Sequence, residues 1–122
     1  MKPNQQGLRR VLNASVYSWQ GLKSSWQSEA AIRQEIVLIA LLTPVAFLLH
    51  VSALERAVLL LSLYLILVAE LINTAIEAVV DRVGADFHPL SGKAKDVGSA
   101  TVLVMMLCTA LTWVCILLPL AN

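Results

Sequence analysis

Glu70-Leu71-Ile72-Asn73-Thr74-Ala75-Ile76-Glu77-Ala78-Val79-Val80-Asp81 follows directly on the apolar run from Ala57 to Ala69. A segment that begins lipid-soluble therefore ends in polar groups. Glu70, Asn73, Glu77 and Asp81 are spaced 3, 4 and 4. At about 100° per residue they share one face of a helix. The stripe is roughly 16 Å long at about 1.5 Å per residue. Almost every residue between them is apolar. Ionisable groups in a membrane segment are costly and usually face a partner, an ion or a water-filled site. Carboxylates crowded on one stripe also repel one another unless something positive intervenes. The stripe reads as an active site, with a solvated helix end as the alternative.

The composition agrees with a membrane setting. Of 122 residues, 58% are hydrophobic and 14% charged, against about 25% charged in a soluble domain. That is enough chain for one domain. Cys108 and Cys115 lie in an apolar run and form neither a CxxC motif nor a zinc set. The first thirty residues lack a compact apolar core before a small-residue cleavage site. The apolar runs are thus expected to stay in the mature chain as spans.

Outward from the stripe, the chain organises itself as an all-α protein. Leu8, Val11, Leu12, Val16, Trp19, Leu22 and Trp26 recur at steps of three and four, which predicts an amphipathic helix over about 8–27. Its tryptophans and basic residues suit the headgroup layer, so it is expected to lie on the membrane surface. Gly21 is a point where that helix is liable to break. Ile36 to Leu54 is charge-free for 19 residues, about 28 Å as a helix, which just crosses a bilayer core. Pro44 should kink it, with Thr43 or a neighbouring helix satisfying the freed backbone group. Spans are expected at about 32–54, 57–83 and 96–120, in a single membrane domain over 1–122. Gly84 to Gly92 reads as the loop before the last span, because Gly84, Pro89, Ser91 and Gly92 are turn formers.

Charge sets the orientation. Lys2, Arg9, Arg10, Lys23 and Arg33 precede span one; Arg82, Lys93 and Lys95 lie between spans two and three; only Arg56 falls on the other side. The positive-inside rule then places the amino terminus in the cytoplasm and the carboxyl terminus outside. Counting from Arg56 at the outer surface, Glu70 lies about 21 Å in, Asn73 about 25 Å, Glu77 about 31 Å and Asp81 about 37 Å. With a hydrocarbon core of about 30 Å, Glu70 sits just beneath the cytoplasmic interface and Asp81 in water. A lipid hydroxyl rests near Glu70, and a water-soluble cosubstrate reaches Glu77 and Asp81.

That arrangement fits phosphoryl transfer from a nucleotide to a lipid alcohol. Glu77 with Glu29 suits Mg²⁺, a hard cation that takes one or two carboxylates plus phosphate oxygens. Lys95 is placed to neutralise charge on the transferring phosphate. Glu29 and Glu35 are six apart, about 120° around a helix, and need not serve one ligand. Glu35 is left two readings, pairing with Arg33 or Lys23, or service in the site. There is no GxxxxGK[ST], no GxGxxG and no kinase catalytic loop, so any nucleotide site is of another kind. Nothing points to nucleic acid.

The Glu70–Asp81 signature resembles that of the bacterial membrane diacylglycerol kinases. The likeness extends to Tyr17-Ser18-Trp19 with Gly21-Leu22, to Glu29-Ala30-Ala31 with Arg33-Gln34-Glu35, and to Leu90-Ser91-Gly92 with Ala94-Lys95-Asp96. The Glu29–Glu35 stretch is more similar to the Gram-negative diacylglycerol kinases than to the related undecaprenol kinases. Pro44 departs from the pattern, and Asp86-Phe87-His88-Pro89 matches it less tightly. The resemblance implies a homotrimer in the bacterial inner membrane, with sites shared between protomers. It implies ATP as cosubstrate and Mg²⁺ as cofactor. Glu70 is then the general base, and Glu29 and Glu77 bind the metal. Arg10, Tyr17, Glu29, Glu77, Asp86, Phe87, His88, Lys95 and Asp96 contact ATP. Arg33, Gln34, Glu35, Glu70 and Ser99 line the lipid site, with Asn73 and Asp81 in support.

Besides a structural membrane-anchoring subunit, which leaves the polar stripe unexplained, two other functions are to be weighed. One is an undecaprenol kinase of the same fold. The other, from a different class, is a small cation channel or transporter with the stripe as its path. Against the second, Ala57 to Ala69 carries no ionisable group, so a cation has no continuous polar route.

Overall fold

A computed structural model describes residues 6–122; residues 1–5, Lys2 of the charge count among them, lie outside the described residues. Four helices follow in order: α1 (Gly7–Ser28), α2 (Ala30–Leu48), α3 (Ala53–Val83) and α4 (Pro89–Leu117), ending in a short 3-10 turn at Leu118–Ala121. No strand occurs among the described residues. Ala30–Leu48, Ala53–Val83 and Pro89–Ala121 are each long and apolar enough to cross a membrane.

The helix ends are fixed by local chemistry. Ser52 and Glu55 form a reciprocal capping box, in which the Glu55 amide donates to Ser52 Oγ at 3.1 Å and the Ser52 amide donates to Glu55 Oε1 at 3.0 Å. Each satisfies a donor that the first turn of α3 otherwise leaves orphaned. α4 begins at Pro89, inside the stretch read from sequence as loop. The reason is local: His88 Nδ1 accepts from the Leu90 amide at 3.1 Å, and Pro89 brings a helical φ to the first position, where no amide is needed. The turn formers mark a helix start there as well as a loop.

Two expected weak points are helical. α1 runs unbroken past Gly21, and α2 continues through Pro44 to Leu48. Thr43 Oγ1 sits 3.4 Å from the Tyr64 hydroxyl on α3. The end of α2 is held from outside, where Arg56 donates to Ala46 O at 3.0 Å and Leu49 O at 3.1 Å. The same guanidinium lies 6.0 Å from the Phe47 ring centroid, within cation–π reach.

α3 is the hub, with α2 and α4 both packed on it, and α1 meets chiefly α2. The buried residues of α3, Leu59, Ser62, Leu63, Ile66, Ala69, Glu70 and Asn73, step by three and one along a single stripe. Ile32, Glu35, Ile39 and Ala46 face it from α2, and Gly98, Val102 and Thr109 from α4. Small residues at these contacts let backbones approach, which drives helix association where lipid removes the ordinary hydrophobic term.

Polar contacts set the register of α3 on α4. Thr109 Oγ1 donates to Ser62 O at 3.0 Å, and Trp113 Nε1 donates to Ser62 Oγ at 3.2 Å. Eleven residues further along α3 is Asn73, and eleven back along α4 is Gly98. Both steps are about three turns, so the Ser62–Thr109 contact brings Asn73 opposite Gly98. No α1 residue is buried, and Leu8, Val11, Leu12, Val16 and Trp19 are all more than half exposed.

Candidate active site

The cluster forms where α3 meets the start of α2. Glu70 and Asn73 lie on the buried stripe of α3, 8% and 7% exposed, and Glu35 faces them from α2 at 4%. Each is polar and nearly dry, which is costly unless it is paired or put to use. Glu35 and Glu70 face each other across the α2–α3 contact, and Glu70 also feels the charges of Glu77 and Glu29. Asn73 links the stripe by donating from Nδ2 to Glu77 Oε1 at 3.3 Å. Its Oδ1, both oxygens of Glu35 and the Thr74 hydroxyl are buried without a hydrogen-bond partner.

The structure sets Glu29 and Glu35 on different elements. The 120° separation read from their spacing holds only within a helix. Glu29 is instead the link between α1 and α2, with extended backbone at φ −117°, ψ 113°. Its amide donates to Ser25 O at 2.9 Å, which closes α1. The side chain is thus free of the helical phase that governs Glu35.

Glu35 pairs with neither Arg33 nor Lys23. Arg33 Nη1 donates to Trp26 O at 2.7 Å and to Gln27 O at 3.3 Å, capping the last carbonyls of α1. Lys95 Nζ sits 2.7 Å from Asp81 Oδ1, the only ion pair among the described residues. It lies one turn beyond the carboxylate cluster and also feels the charge of Glu77.

The remaining sequence candidates are not buried with the carboxylates. Arg10 and Tyr17 are exposed on α1, and Asp86, Phe87 and His88 are exposed in the α3–α4 connection. Gln34, Asp96 and Ser99 are exposed on the ends of α2 and α4 that approach this region. Of these, only His88 makes a side-chain hydrogen bond among the described residues, as the cap of α4.

Some of the site was not read from sequence. An apolar cavity of about 440 Å³ is lined by Trp19, Leu22, Lys23, Trp26, Ile36 and Leu67. It opens one turn from Glu70, since Leu67 precedes it by three residues. The two tryptophans read from sequence as headgroup anchors are its walls. Gly98 opens the small-residue stretch Gly98-Ser99-Ala100, where close helix approach is readable from sequence but contact with Asn73 is not. A Cβ placed there overlaps Asn73 Oδ1 and comes within 3.4 Å of Asn73 Cγ. A glycine inside a helix costs about 1 kcal/mol against alanine, and that cost was the available signal.

Chemically, the cluster is rich in acid and short of cations. Glu35 and Glu70 face each other, and Glu29 and Glu77 add negative charge around Glu70, while Arg33 is engaged by α1 and Lys95 by Asp81. Among the described residues no group of three or more His, Cys, Asp or Glu is arranged to hold a metal by itself. A site of one or two carboxylates completed by a ligand's oxygens is the pattern that Mg²⁺ favours, so Glu29 and Glu77 fit it.

A family model described as prokaryotic diacylglycerol kinase matches residues 16–117. The chain is 48% identical over 118 residues to a diacylglycerol kinase of Escherichia coli (strain K12), covering 97% of this chain and 96% of that protein. It is 50% identical over 114 residues to a diacylglycerol kinase of Pseudomonas aeruginosa, covering 93% of each. A diacylglycerol kinase of Haemophilus influenzae is 41% identical over 107 residues, covering 88% of this chain and 91% of that one.

Proposed function

The chain belongs to the prokaryotic diacylglycerol kinase family and is a lipid kinase, and from that premise we propose that it phosphorylates diacylglycerol to phosphatidic acid with ATP at the cytoplasmic face of the bacterial inner membrane. One observation carries the reading. A nearly dry carboxylate, Glu70, lies on the same stripe as Glu77, with Asn73 between them donating to Glu77, and one turn from Leu67 in the wall of an apolar cavity.

Each group has a task. The acyl chains occupy the cavity walled by Trp19, Trp26, Ile36 and Leu67, which brings the lipid hydroxyl to Glu70. Glu70 accepts the hydroxyl proton as the oxygen attacks the γ-phosphorus of ATP in line and the bond to ADP breaks, so that ADP leaves. Glu29 and Glu77 would hold Mg²⁺, which when bound would neutralise charge on the phosphates. Asn73 holds Glu77 in place through its side-chain amide. Lys95 leaves Asp81 for the phosphates, an inexpensive exchange because the pair is exposed. Arg10, Tyr17, Asp96 and the Asp86–His88 turn complete the ATP site, and Arg33, Gln34, Glu35 and Ser99 line the lipid site.

The working form is a homotrimer whose sites are shared between protomers. Supporting this, one copy leaves Arg10, Tyr17 and Phe87 exposed. A neighbour's surface helix is the natural source of nucleotide contacts. The same exposure of apolar residues on α1 supports its place in the headgroup layer. The basic residues before α2 and between α3 and α4 support a cytoplasmic amino terminus and a periplasmic carboxyl terminus.

The test is phosphate transfer from labelled ATP with Mg²⁺, in separate micelle assays with diacylglycerol and undecaprenol. Labelling of diacylglycerol well above undecaprenol is expected and is abolished by Glu70→Gln. A preference for undecaprenol assigns the same fold and site to the other lipid. Labelling of neither by folded protein overturns the proposal, and ATP-independent cation flux across liposomes then favours an ion path.

A further inference from the structure

Gly98 lies buried on α4 against Asn73, and the space its side chain would fill is taken by the Asn73 amide oxygen. The contact is to the far end of the side chain: a Cβ at 98 overlaps Oδ1, while Asn73 Cγ is 3.4 Å and Ile76 Cδ1 3.6 Å from it. Asn73 Oδ1 is buried without a hydrogen-bond partner. The other end of the same amide, Nδ2, donates to Glu77 Oε1 at 3.3 Å. An amide is planar, so turning Oδ1 away from α4 also turns Nδ2 away from Glu77. Elsewhere the fold does not need its glycines this way, since a Cβ at Gly21, Gly84 or Gly92 meets nothing within 4 Å.

We propose that Gly98 is a positioning residue for the reaction: its bare backbone is the seat for Asn73 Oδ1 that fixes Nδ2 on Glu77. The two surfaces are held opposite each other by the Ser62–Thr109 contact three turns away. The glycine thus acts through Asn73 on the orientation of Glu77, touching neither substrate. The consequence for catalysis rests on the reading of Glu77 as a metal-binding group.

The experiment is a double-mutant cycle of Gly98→Ala and Asn73→Ala, read in three ways on the purified oligomer. In the first, Gly98→Ala raises the Mg²⁺ concentration for half-maximal lipid phosphorylation by about 10–100-fold, the range for loss of a group that orients a metal ligand. In the second, Mn²⁺ binding followed by electron paramagnetic resonance weakens by a similar factor. In the third, unfolding in sodium dodecyl sulfate reports the contact itself. Gly98→Ala adds no further loss in the Asn73→Ala background, where the overlapping atoms are gone, and the double variant also serves if Gly98→Ala alone fails to fold. Gly92→Ala, on the same helix in open space, leaves the metal dependence unchanged. Additive losses in all three readouts overturn the proposal, for Gly98 then serves only helix packing. Non-additive unfolding with no shift in Mg²⁺ or Mn²⁺ dependence also overturns it, and points to the role given to Glu77 as the error, with the contact intact.

Discussion

Glu35→Gln is expected to make the protein more stable and less active. Glu35 is buried on α2 with both carboxyl oxygens unpartnered, and it faces Glu70. A buried polar atom without a partner costs about 1–3 kcal/mol. The substitution keeps the shape, removes one of two like groups, and supplies an N–H aimed at the Glu70 carboxylate. One unsatisfied oxygen is lost and one donor–acceptor pair gained, so the expected gain is about 1–3 kcal/mol. Natural active sites commonly hold such unfavourable groups, and relieving them costs function. If Glu35 lines the lipid site, diacylglycerol phosphorylation falls while MgATP binding is unchanged. Unfolding in sodium dodecyl sulfate, followed by the fluorescence of Trp19, Trp26 and Trp113, measures the first effect, and initial rates at varied diacylglycerol measure the second. A variant less stable than the parent would falsify the claim that Glu35 is an unpaired group held at a cost.

Arg56→Ala frees the Ala46 and Leu49 carbonyls at the end of α2 and is expected to cost about 1–3 kcal/mol, while Arg56→Lys recovers part of it; urea–detergent unfolding compares the two. Ser52→Ala removes the capping box of α3 at about 0.5–2 kcal/mol, visible as faster amide exchange at Ala53 to Arg56. Thr109→Val deletes the bond to Ser62 O and is expected to cost about 0.6–1.7 kcal/mol, with lipid phosphorylation kept; a large loss of activity would mean that the α3–α4 register itself had shifted. Arg33→Gln loosens the carbonyl end of α1, so amide exchange rises at Ser25 to Glu29 before any change in α3.

The hub helix was legible because its pattern is dense. A dense apolar sequence with one polar stripe leaves little freedom in how α3 faces its neighbours. The same density puts Glu70, Asn73 and Glu77 on one face. The direction of Glu29 was not legible, because a helical wheel applies only inside a helix and Glu29 sits in the link. The start of α4 at Pro89 was obscured by turn formers that also act as helix-start signals. Pro44 does not end α2, which continues to Leu48, where Arg56 holds the helix end. Gly98 and the cavity behind Trp19 depend on which faces meet across helices distant in sequence. Periodicity in one segment carries no information of that kind.

A membrane kinase must bring a lipid alcohol and a charged nucleotide to one point, and the depth of each group decides which it serves. α3 solves this with length. At about 1.5 Å per residue its 31 residues span roughly 46 Å, well beyond a core of about 30 Å. The stripe therefore passes from lipid to water within four turns, and Asn73 stands at the crossing between Glu70 and Glu77. On the proposed reading, moving the polar stripe one turn outward would bury Glu77 and its metal, and moving it one turn inward would leave Glu70 in water, in competition with solvent for the lipid proton. The Ser62, Thr109 and Trp113 contacts lie about three turns from the carboxylates, yet they set how α4 meets α3. They bring Gly98 opposite Asn73, whose amide donates to Glu77, so a shift in that register is expected to reach the site through this one side chain.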